Sequence, residues 1–387
     1  MSQLKVNTIR HTGASSDAVT LASDGSCTVK ATNRLDERNL LLNPEMRIDQ
    51  RNSGNTYAMN PSSGNPTYGI VDRWFFQNYA GEAARYDVTK STDVPANQGF
   101  TNSLKIDVTT AMGTPATQNY SSLCQFIEAQ DAVYLNHGNA NAKTLSLSFW
   151  IKSTKTGTAS ICLDRDDASR CYVAEYTISS ANTWEKKTIT IPGDTTGTAC
   201  ANDNGRGFLL LFTFFAGSGR HQSVGSWAAR PGSWYGASAN QVNLIDSTSN
   251  DIYITGVSLT ATDYFPDFEH ISYGDELNRC MRYYQKIFNI QLHGAKNTST
   301  RMRMTANFTV PMRDAPAYTR TASNFSFQEA GSSTTSSNTT EAQSGSVATA
   351  DGVTYARSWD FGGFTSLDDR TYIGSNAGHV FNLDSEL

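Results

Sequence analysis

The sequence predicts an all-β protein: a jelly-roll-like two-sheet sandwich with an N-terminal attachment arm, one short helix and a C-terminal β domain. Two observations predict this class. Only 17% of the 387 residues are charged, and the chain has 29 Gly, 17 Tyr and 18 Phe, a composition typical of short strands joined by turns. Short apolar runs also follow one another between residues 39 and 270, and no helical period interrupts them.

The attachment arm is predicted over residues 1–38. Leu4 and Ile9 belong to one short strand pattern, and two more patterns end at Leu21 and Val29. Segments this short, bounded by Gly and Ser, cannot enclose a core of their own. We therefore expect the arm to pack on another molecule, with a frayed terminus as the alternative.

The β-sandwich is predicted over residues 39–270. Leu145, Leu147 and Phe149 alternate with serine, as a strand with one buried face requires. The predicted strand segments are 39–50, 71–76, 103–108, 123–127, 144–152, 160–163, 171–178, 184–191, 207–215, 241–245 and 251–259. Polar turns between so many short strands indicate two packed sheets.

A helical connector is predicted over residues 271–294. Ser272 offers an N-cap, and Asp275 follows three residues later, which is a helix-start signal. A stripe at helical spacing predicts that the helix runs to residue 287; its members are Leu277, Cys280, Met281, Tyr284 and Ile287.

The C-terminal β domain is predicted over residues 295–387. Strand patterns lie at 301–310, 354–360 and 379–383. The stretch Gly331–Thr340 contains mostly Ser and Thr, and we expect an exposed loop there because such a segment buries little apolar surface.

Charge and hydropathy argue against two classes of partner. Lys plus Arg total 31 against 36 Asp plus Glu, a net charge of -5, so no basic excess exists to neutralise nucleic acid. The most apolar run, Phe208–Phe215, is far shorter than the ~20 residues of a membrane helix and is expected to be a buried strand. The first residues lack the apolar core of a signal peptide, so we expect no membrane partner.

The six cysteines show no Cys-x-x-Cys pair, so zinc-ribbon and redox spacings are missing. Cys162 and Cys171 are the two whose spacing places them across a turn. We expect reduced and mostly buried thiols.

Motifs of catalysis are missing as well. The sequence contains no Gly-x-Ser-x-Gly, no His-Glu-x-x-His and no phosphate-binding loop, and its six histidines are scattered. We expect no enzyme activity, no catalytic residue, no cofactor and no metal site.

Acidic residues offer the one alternative to that expectation. Asp164, Asp166 and Asp167 have the chemistry of calcium ligands or of a glycosidase pair. The favoured interpretation is the solvated tip of a hairpin, with Arg165 and Arg170 as local counter-charges. Asp368-Asp369 is interpreted as a turn in the same way.

An aromatic loop is the most suggestive feature, because loops seldom carry several large rings. The segment 225–236 is rich in Gly and Pro, and aromatic faces stack on sugars while polar side chains bind hydroxyl groups. Burial of these rings within the fold or against a neighbouring subunit is the favoured alternative. The candidate glycan-binding residues are Trp234, Tyr235, Trp227, Arg230 and His221.

Several segments together carry a family resemblance. The opening Ser2-Gln-Leu-Lys-Val-Asn-Thr-Ile-Arg10 resembles the N-terminal arm of tail-fibre and other virion proteins of marine bacteriophages. Segments 39–46, 72–74, 148–152, 182–186 and 255–259 resemble a β-sandwich, similar to carbohydrate-binding modules, that recurs in phage fibres. The block Asp267-Phe-Glu-His-Ile-Ser-Tyr-Gly-Asp-Glu-Leu-Asn-Arg-Cys-Met-Arg-Tyr-Tyr-Gln285 is the strongest match, and 310–316 follows it.

The resemblance implies a structural fibre or appendage protein of a phage virion. We expect it to dock on other virion proteins, of the tail or the capsid, through its arm, and the resemblance implies a homotrimer. Contact with host surface polysaccharide is an expectation from the aromatic loop, since the resemblance says little about the ligand. A head-bound decoration protein and a glycan depolymerase are the alternatives. The expected location is the virion, assembled in the host cytoplasm.

Overall fold

The computed structural model describes sixteen segments of the chain, and the statements below concern these alone. They are residues 6–10, 12–13, 19–29, 34–59, 66–79, 85–165, 170–230, 236–288, 291–298, 301–320, 325–329, 335–338, 340–348, 354–362, 371–375 and 380–386.

Two large antiparallel sheets form the centre of the molecule, which confirms the predicted two-sheet sandwich. The six-stranded sheet has, in spatial order, Glu185–Ile191, Leu145–Ser153, Asp251–Thr260, Ser103–Thr110, Arg85–Ser91 and Tyr57–Met59. The seven-stranded sheet has Trp227–Ala229, Arg170–Ile178, Gly157–Arg165, Arg206–Ala216, Tyr120–Glu128, Phe75–Tyr79 and Thr67–Tyr68. Successive strands often change sheet, as in a jelly roll.

The core lies between these sheets and follows the predicted alternation. Leu145, Leu147 and Phe149 are fully buried, and the ring of Phe149 lies 4.9 Å from that of Phe212 in the opposite sheet. The predicted apolar strand is also confirmed, because Arg206–Ala216 pairs on both sides and its apolar side chains are buried. Burial of so many aliphatic and aromatic side chains is the main stabilising contribution.

Two segments predicted as strands have other conformations. Residues 39–50 form turns, with Asn43 at φ 50° and Met46 at φ 56°. Segment 241–245 is also outside any strand, although Leu244 and Ile245 are fully buried. Apolar side chains in these loops fill the core, so a run of apolar residues in the sequence was not sufficient to identify a strand.

Asn43 holds the first of these turns against the sandwich. Its Oδ1 accepts the backbone N–H groups of Arg47 and Ile48, each at 2.9 Å. Its Nδ2 donates to the carbonyls of Ile48 and Asp72, each at 2.9 Å. This fully buried side-chain amide therefore supplies the backbone with the hydrogen bonds that a neighbouring strand would otherwise provide.

The arm forms a small sheet of its own. Its strands Thr8–Ile9, Val19–Leu21 and Cys27–Val29 pair in chain order. Val6, Ile9 and Leu21 are exposed. The short strands are as predicted, and the apolar residues just named are uncovered.

The predicted helix is confirmed at its start and wrong at its end. Ser272 caps the helix Tyr273–Met281 by accepting the backbone N–H of Asp275 at 3.2 Å. Tyr284 and Ile287 belong instead to a strand, Tyr284–Phe288, which pairs with Val380–Asp384. Strand pairing with a distant segment overrides the helical spacing of the stripe. Shorter helical turns lie at Arg34–Glu37, Ala129–Ala132, Val133–Leu135 and Ser218–Arg220.

The C-terminal part has two further sheets. The three-stranded sheet has the order Tyr284–Phe288, Val380–Asp384 and Ala317–Arg320. The other has the order Thr335–Asn338, Phe325–Glu329, Thr371–Ser375, Gln291–Thr298, Arg301–Met312, Thr354–Gly362 and Thr340–Ala348. The strand Thr335–Asn338 lies within the segment predicted as a loop, so that prediction is wrong for these residues. The domain boundaries at 38, 270 and 294 stay predictions.

Ion pairs, one of them fully buried, join the C-terminal part to the sandwich. Glu386 pairs with Arg73 and, at 3.2 Å, with Arg51, and Arg51 also pairs with Asp384 at 2.9 Å. The side chain of Arg73 is 1% exposed and that of Glu386 4%. Arg73 also lies 3.5 Å from the centre of the Tyr283 ring, so its charge is held on two sides.

Candidate functional site

The outward surface of the six-stranded sheet carries three large rings. Trp150 stands between the buried residues Phe149 and Ile151, and Tyr253 stands between the buried Ile252 and Ile254. Because side chains alternate along a strand, both rings point away from the core. Trp184, immediately before the edge strand Glu185–Ile191, joins them. We call the following residues the outward aromatic face: Trp150, Trp184, Tyr253, Lys105, Lys152 and Asp93.

Strand register places these residues side by side. Lys152 is opposite Tyr253, and Tyr253 is opposite Lys105 on the next strand. Trp150 lies in the neighbouring row, opposite Thr255. All three rings are half-buried. The face is therefore a row of aromatic and charged side chains across three adjacent strands.

The rings and the lysines are packed into a fixed arrangement. Trp184 and Tyr253 meet edge to face with ring centres 6.2 Å apart. The Lys152 ammonium lies 4.2 Å from the centre of the Tyr253 ring and 5.7 Å from that of Trp184. Cation–π contacts of this kind order long side chains that would otherwise move freely.

Asp93 fastens one end of the face. Its Oδ1 accepts the indole N–H of Trp184 at 2.9 Å, and its Oδ2 pairs with Lys152. Partial burial would raise the pKa of the Asp93 carboxyl, but the hydrogen bonds from Lys152 and Trp184 outweigh it and hold the pKa below its ordinary value. Asp93 is therefore a carboxylate at neutral pH.

Lys105 occupies the other end, between two carboxylates. Its Nζ lies 3.1 Å from Asp107 and 3.2 Å from Asp251. Partial burial would lower the pKa of Lys105, and the hydrogen bonds to these two carboxylates raise it above its ordinary value. Both ammonium groups of the face are thus already paired.

This arrangement has the chemistry of a binding surface. Ring faces offer apolar contact to C–H groups, and carboxylate oxygens with exposed lone pairs accept hydroxyl protons. The side chains of Asp93 and Asp107 are 44% and 47% exposed, so their oxygens can reach a ligand.

The sequence did contain a signal for this face. Trp150 is at a polar position of the alternating strand 144–152, where Ser146 and Ser148 precede it. Tyr253 is at the equivalent position between two isoleucines. An aromatic residue on the solvent side of an alternating strand is the pattern that identifies such a face.

The predicted aromatic loop is only partly described. Trp234 and Tyr235 lie outside the described residues. The half-buried Trp227 donates from Nε1 to the Pro192 carbonyl at 2.6 Å, and its ring lies 5.6 Å from those of His137 and Tyr172. These contacts favour intramolecular packing for Trp227.

Arg230 and His221 are held by other parts of the fold. Arg230 pairs with Asp164 at 2.8 Å, and its side chain is 12% exposed. His221 forms an isolated bridge with Ala237. The structure therefore places Arg230 against a buried carboxylate, and a glycan role for this loop stays a prediction.

The interpretation of Asp164 as a solvated hairpin tip is wrong. The strand Gly157–Arg165 extends through it, and Asp164 is fully buried. Arg165 is also fully buried and pairs with Asp194 at 2.7 Å, as does Arg170. The two arginines thus share a distant partner because the strands continue further than the charge pattern indicated. Asp166, Asp167, Asp368 and Asp369 lie outside the described residues.

The cysteines are largely buried, as predicted: Cys27 is exposed and the other five are buried. Cys162 and Cys171 do approach each other. Their sulfurs and an oxygen of Asp164 lie within 4.8 Å of one another. Because Arg230 already places a cation on Asp164, this cluster is a poor site for a metal ion.

Comparison with known proteins gives weak likenesses only. No protein-family profile matches the sequence, and no curated protein matches it. Solved structures similar to it include tailspike protein 4 of bacteriophage CBA120 (its enzymatically active domain; 16% identity, TM-score 0.28), where the match covers 49% of this chain and 19% of that chain.

Two others are sugar-binding proteins by name. A putative sugar binding protein from Bacteroides thetaiotaomicron has 12% identity and TM-score 0.34, with coverage of 58% and 100%. The family 11 carbohydrate-binding module of Lic26A-Cel5E from Clostridium thermocellum has 13% identity and TM-score 0.25, with coverage of 55% and 100%. Likenesses this low assign no function, and the fold class rests on the sheets themselves. Among the described helices, none is long and apolar enough to cross a membrane.

Proposed function

We propose that this chain is a structural appendage protein of a phage virion that binds neutral glycans of the host surface through the outward aromatic face. The observation that carries the proposal is the pair of half-buried rings Trp184 and Tyr253, which meet edge to face beside Lys152. The half-buried Trp150 lies in the neighbouring row of the same sheet. Rings in such a position add little to the core, and polysaccharides are the ligands that combine flat C–H faces with many hydroxyl groups.

The charges of the face favour neutral over acidic glycans. Lys105 and Lys152 each lie against carboxylates, and their side chains are 24% and 13% exposed. The carboxylates of Asp93 and Asp107 are the more exposed members. An acidic sugar would meet exposed negative charge, whereas a neutral sugar donates its hydroxyl protons to it.

The arm supports a docking role. Its three short strands pair only with one another among the described strands, and Ile9 is 55% exposed. An apolar surface of this kind suits a partner that covers it. The resemblance of the arm to phage virion proteins makes another virion protein the proposed partner, on the tail or on the head. Electron microscopy of labelled particles distinguishes the two positions.

The glycan proposal is tested with the full chain on a panel of neutral and acidic oligosaccharides. Trp184→Ala should weaken binding to the neutral ligand by ~1–3 kcal/mol, the usual cost of removing an aromatic anchor. Tyr79→Ala is the matched control, because Tyr79 is 46% exposed on the other sheet. Binding only to acidic sugars, or equal weakening in both variants, contradicts the proposal.

The enzyme alternative has its own readout. A glycan depolymerase releases new reducing ends from host polysaccharide, and a binding protein does not. We expect none from the intact chain. The homotrimer is checked by the mass of the purified chain in solution, where a stably folded monomer contradicts it.

A further inference from the structure

A cleft of about 630 Å³ lies where the sandwich meets the three-stranded C-terminal sheet. Arg51 and Asn52 line one side, Tyr57 on the edge strand of the six-stranded sheet lines another, and Thr319 and Asn382 close it from the C-terminal strands. The volume is within the range of small-ligand sites. None of these residues belongs to the outward aromatic face.

The Tyr57 ring, which forms one wall of the cleft, is held in position by packing. Gly69 has φ 151°, and a Cβ on it would lie 2.7 Å from Cε2 of Tyr57. Any other residue at position 69 would therefore push the ring away. The half-buried Tyr57 ring is held in place by packing on this glycine and on the core.

The floor of the cleft carries a neutralised cation. The Arg51 guanidinium lies 3.8 Å from the centre of the Tyr284 ring and pairs with Asp384 at 2.9 Å and with Glu386. Its side chain is 10% exposed, whereas that of Asp384 is 43% exposed. The group that a ligand meets is therefore the carboxylate, and an anionic ligand is disfavoured.

The remaining polar groups form a linked set. The Tyr284 hydroxyl donates to Asn382 Oδ1 at 2.8 Å, and Asn382 Nδ2 donates to Thr319 Oγ1 at 3.2 Å. The Thr319 hydroxyl can still donate its proton to a ligand, and the Asn382 side-chain amide can form further hydrogen bonds. The set offers donors and acceptors in fixed positions beside one aromatic ring.

We propose that this cleft is a second saccharide site, which takes the end of a neutral sugar chain. The Tyr57 ring contacts the C–H face of the terminal sugar. Asp384 accepts hydroxyl protons, and Thr319 with Asn52 and Asn382 completes the polar contacts. The site goes beyond the proposed function, because it lies apart from the outward aromatic face and is a partly open cleft whose walls contact one sugar from several sides.

The test uses the full chain and four free monosaccharides as probes: galactose, glucose, mannose and N-acetylglucosamine. Saturation-transfer NMR should show binding of at least one of them. Tyr57→Ala should weaken that binding by about tenfold or more, the scale expected for removal of one aromatic anchor. Tyr79→Ala, at an exposed ring on the other sheet and outside both proposed sites, should leave it unchanged.

A second variant tests the proposal if Tyr57→Ala is unfolded at the assay temperature. Thr319→Val retains the shape of an exposed strand residue and removes one hydroxyl, which should weaken binding by about fivefold. Failure of all four sugars to bind overturns the cleft proposal, as does binding that persists in both variants. Binding that Trp184→Ala abolishes and Tyr57→Ala preserves overturns the cleft and supports the face, so the two proposals fail separately.

Discussion

Glu386 is predicted to be essential for the stability of the joint between the sandwich and the C-terminal sheet. Its carboxylate pairs with two arginines, and the partner Arg73 is 1% exposed. Glu386→Ala leaves that guanidinium buried without its anion. Breaking a buried ion pair from one side costs about 3–5 kcal/mol.

Other contacts of Arg73 reduce that cost. Its Nη2 donates to the Phe126 carbonyl at 2.8 Å, and its guanidinium faces the Tyr283 ring. These contacts remain in the variant, so we expect the lower end of the range, about 3 kcal/mol. Glu386→Gln keeps an acceptor oxygen and removes the charge, and we expect a loss of about 1–3 kcal/mol.

The assay is urea unfolding of the full chain, followed by circular dichroism and by tryptophan fluorescence. Replacing both partners, in Arg73→Met with Glu386→Leu, should restore much of the stability, because no buried charge is left unpaired. A change below about 0.5 kcal/mol in Glu386→Ala would refute the reasoning, since that is the size of an ordinary surface substitution.

Three further predictions concern the sandwich and the arm. His137 should make the fold sensitive to acid, because burial lowers its pKa to about 4. Its neutral ring bonds the Lys143 carbonyl through Nε2 at 3.0 Å and accepts the backbone N–H of Asp194 at Nδ1 at 3.3 Å. Because the folded pKa lies below the unfolded value of about 6.5, its stabilisation is complete above pH 6.5 and is lost as the pH falls towards 4, by on the order of 3 kcal/mol. Urea titrations at several pH values should show this loss in wild type and not in His137→Gln; parallel curves would contradict it. Gly256→Ala should lower the free energy of unfolding by ~1–3 kcal/mol, because Gly256 has φ 60° and a Cβ there would lie 2.5 Å from the Phe100 ring. Gly113→Ala is the control: a Cβ there meets open space, so the same thermal melt should show no change. Deleting residues 1–33 should leave the melting curve of the sandwich in place and abolish incorporation into particles, measured by immunoblot of purified virions; normal incorporation would assign docking to another part.

The fold class was predictable because period-2 alternation reports burial directly. Leu145, Leu147 and Phe149 show it, and the structure buries all three. The same reasoning failed at 39–50 and 241–245, where apolar residues are buried without a strand. Asn43 supplies hydrogen bonds in the first of these segments that a sheet partner would otherwise provide, and no local pattern identifies such a partner.

The end of the helix was unpredictable for a related reason. Tyr284 and Ile287 fit a helical stripe, yet they also fit a short strand. Pairing with Val380–Asp384, nearly a hundred residues later in the chain, decides between the two. A local period cannot report a partner at that separation.

The outward aromatic face was not predicted from the sequence because its members come from separate parts of the chain. Lys105, Lys152 and Tyr253 become neighbours only through strand register, and Trp184 reaches them from the position just before an edge strand. Loop aromatics attract attention because loops are polar, whereas a strand tryptophan is ordinarily assigned to the core. Side-chain alternation distinguishes a core tryptophan from an outward one at Trp150. Its neighbours Phe149 and Ile151 are fully buried, so the Trp150 ring lies on the opposite, outward face of the sheet. A ring that the pleat directs outward adds little to the hydrophobic core, and that is the physical ground of the proposed role in recognition.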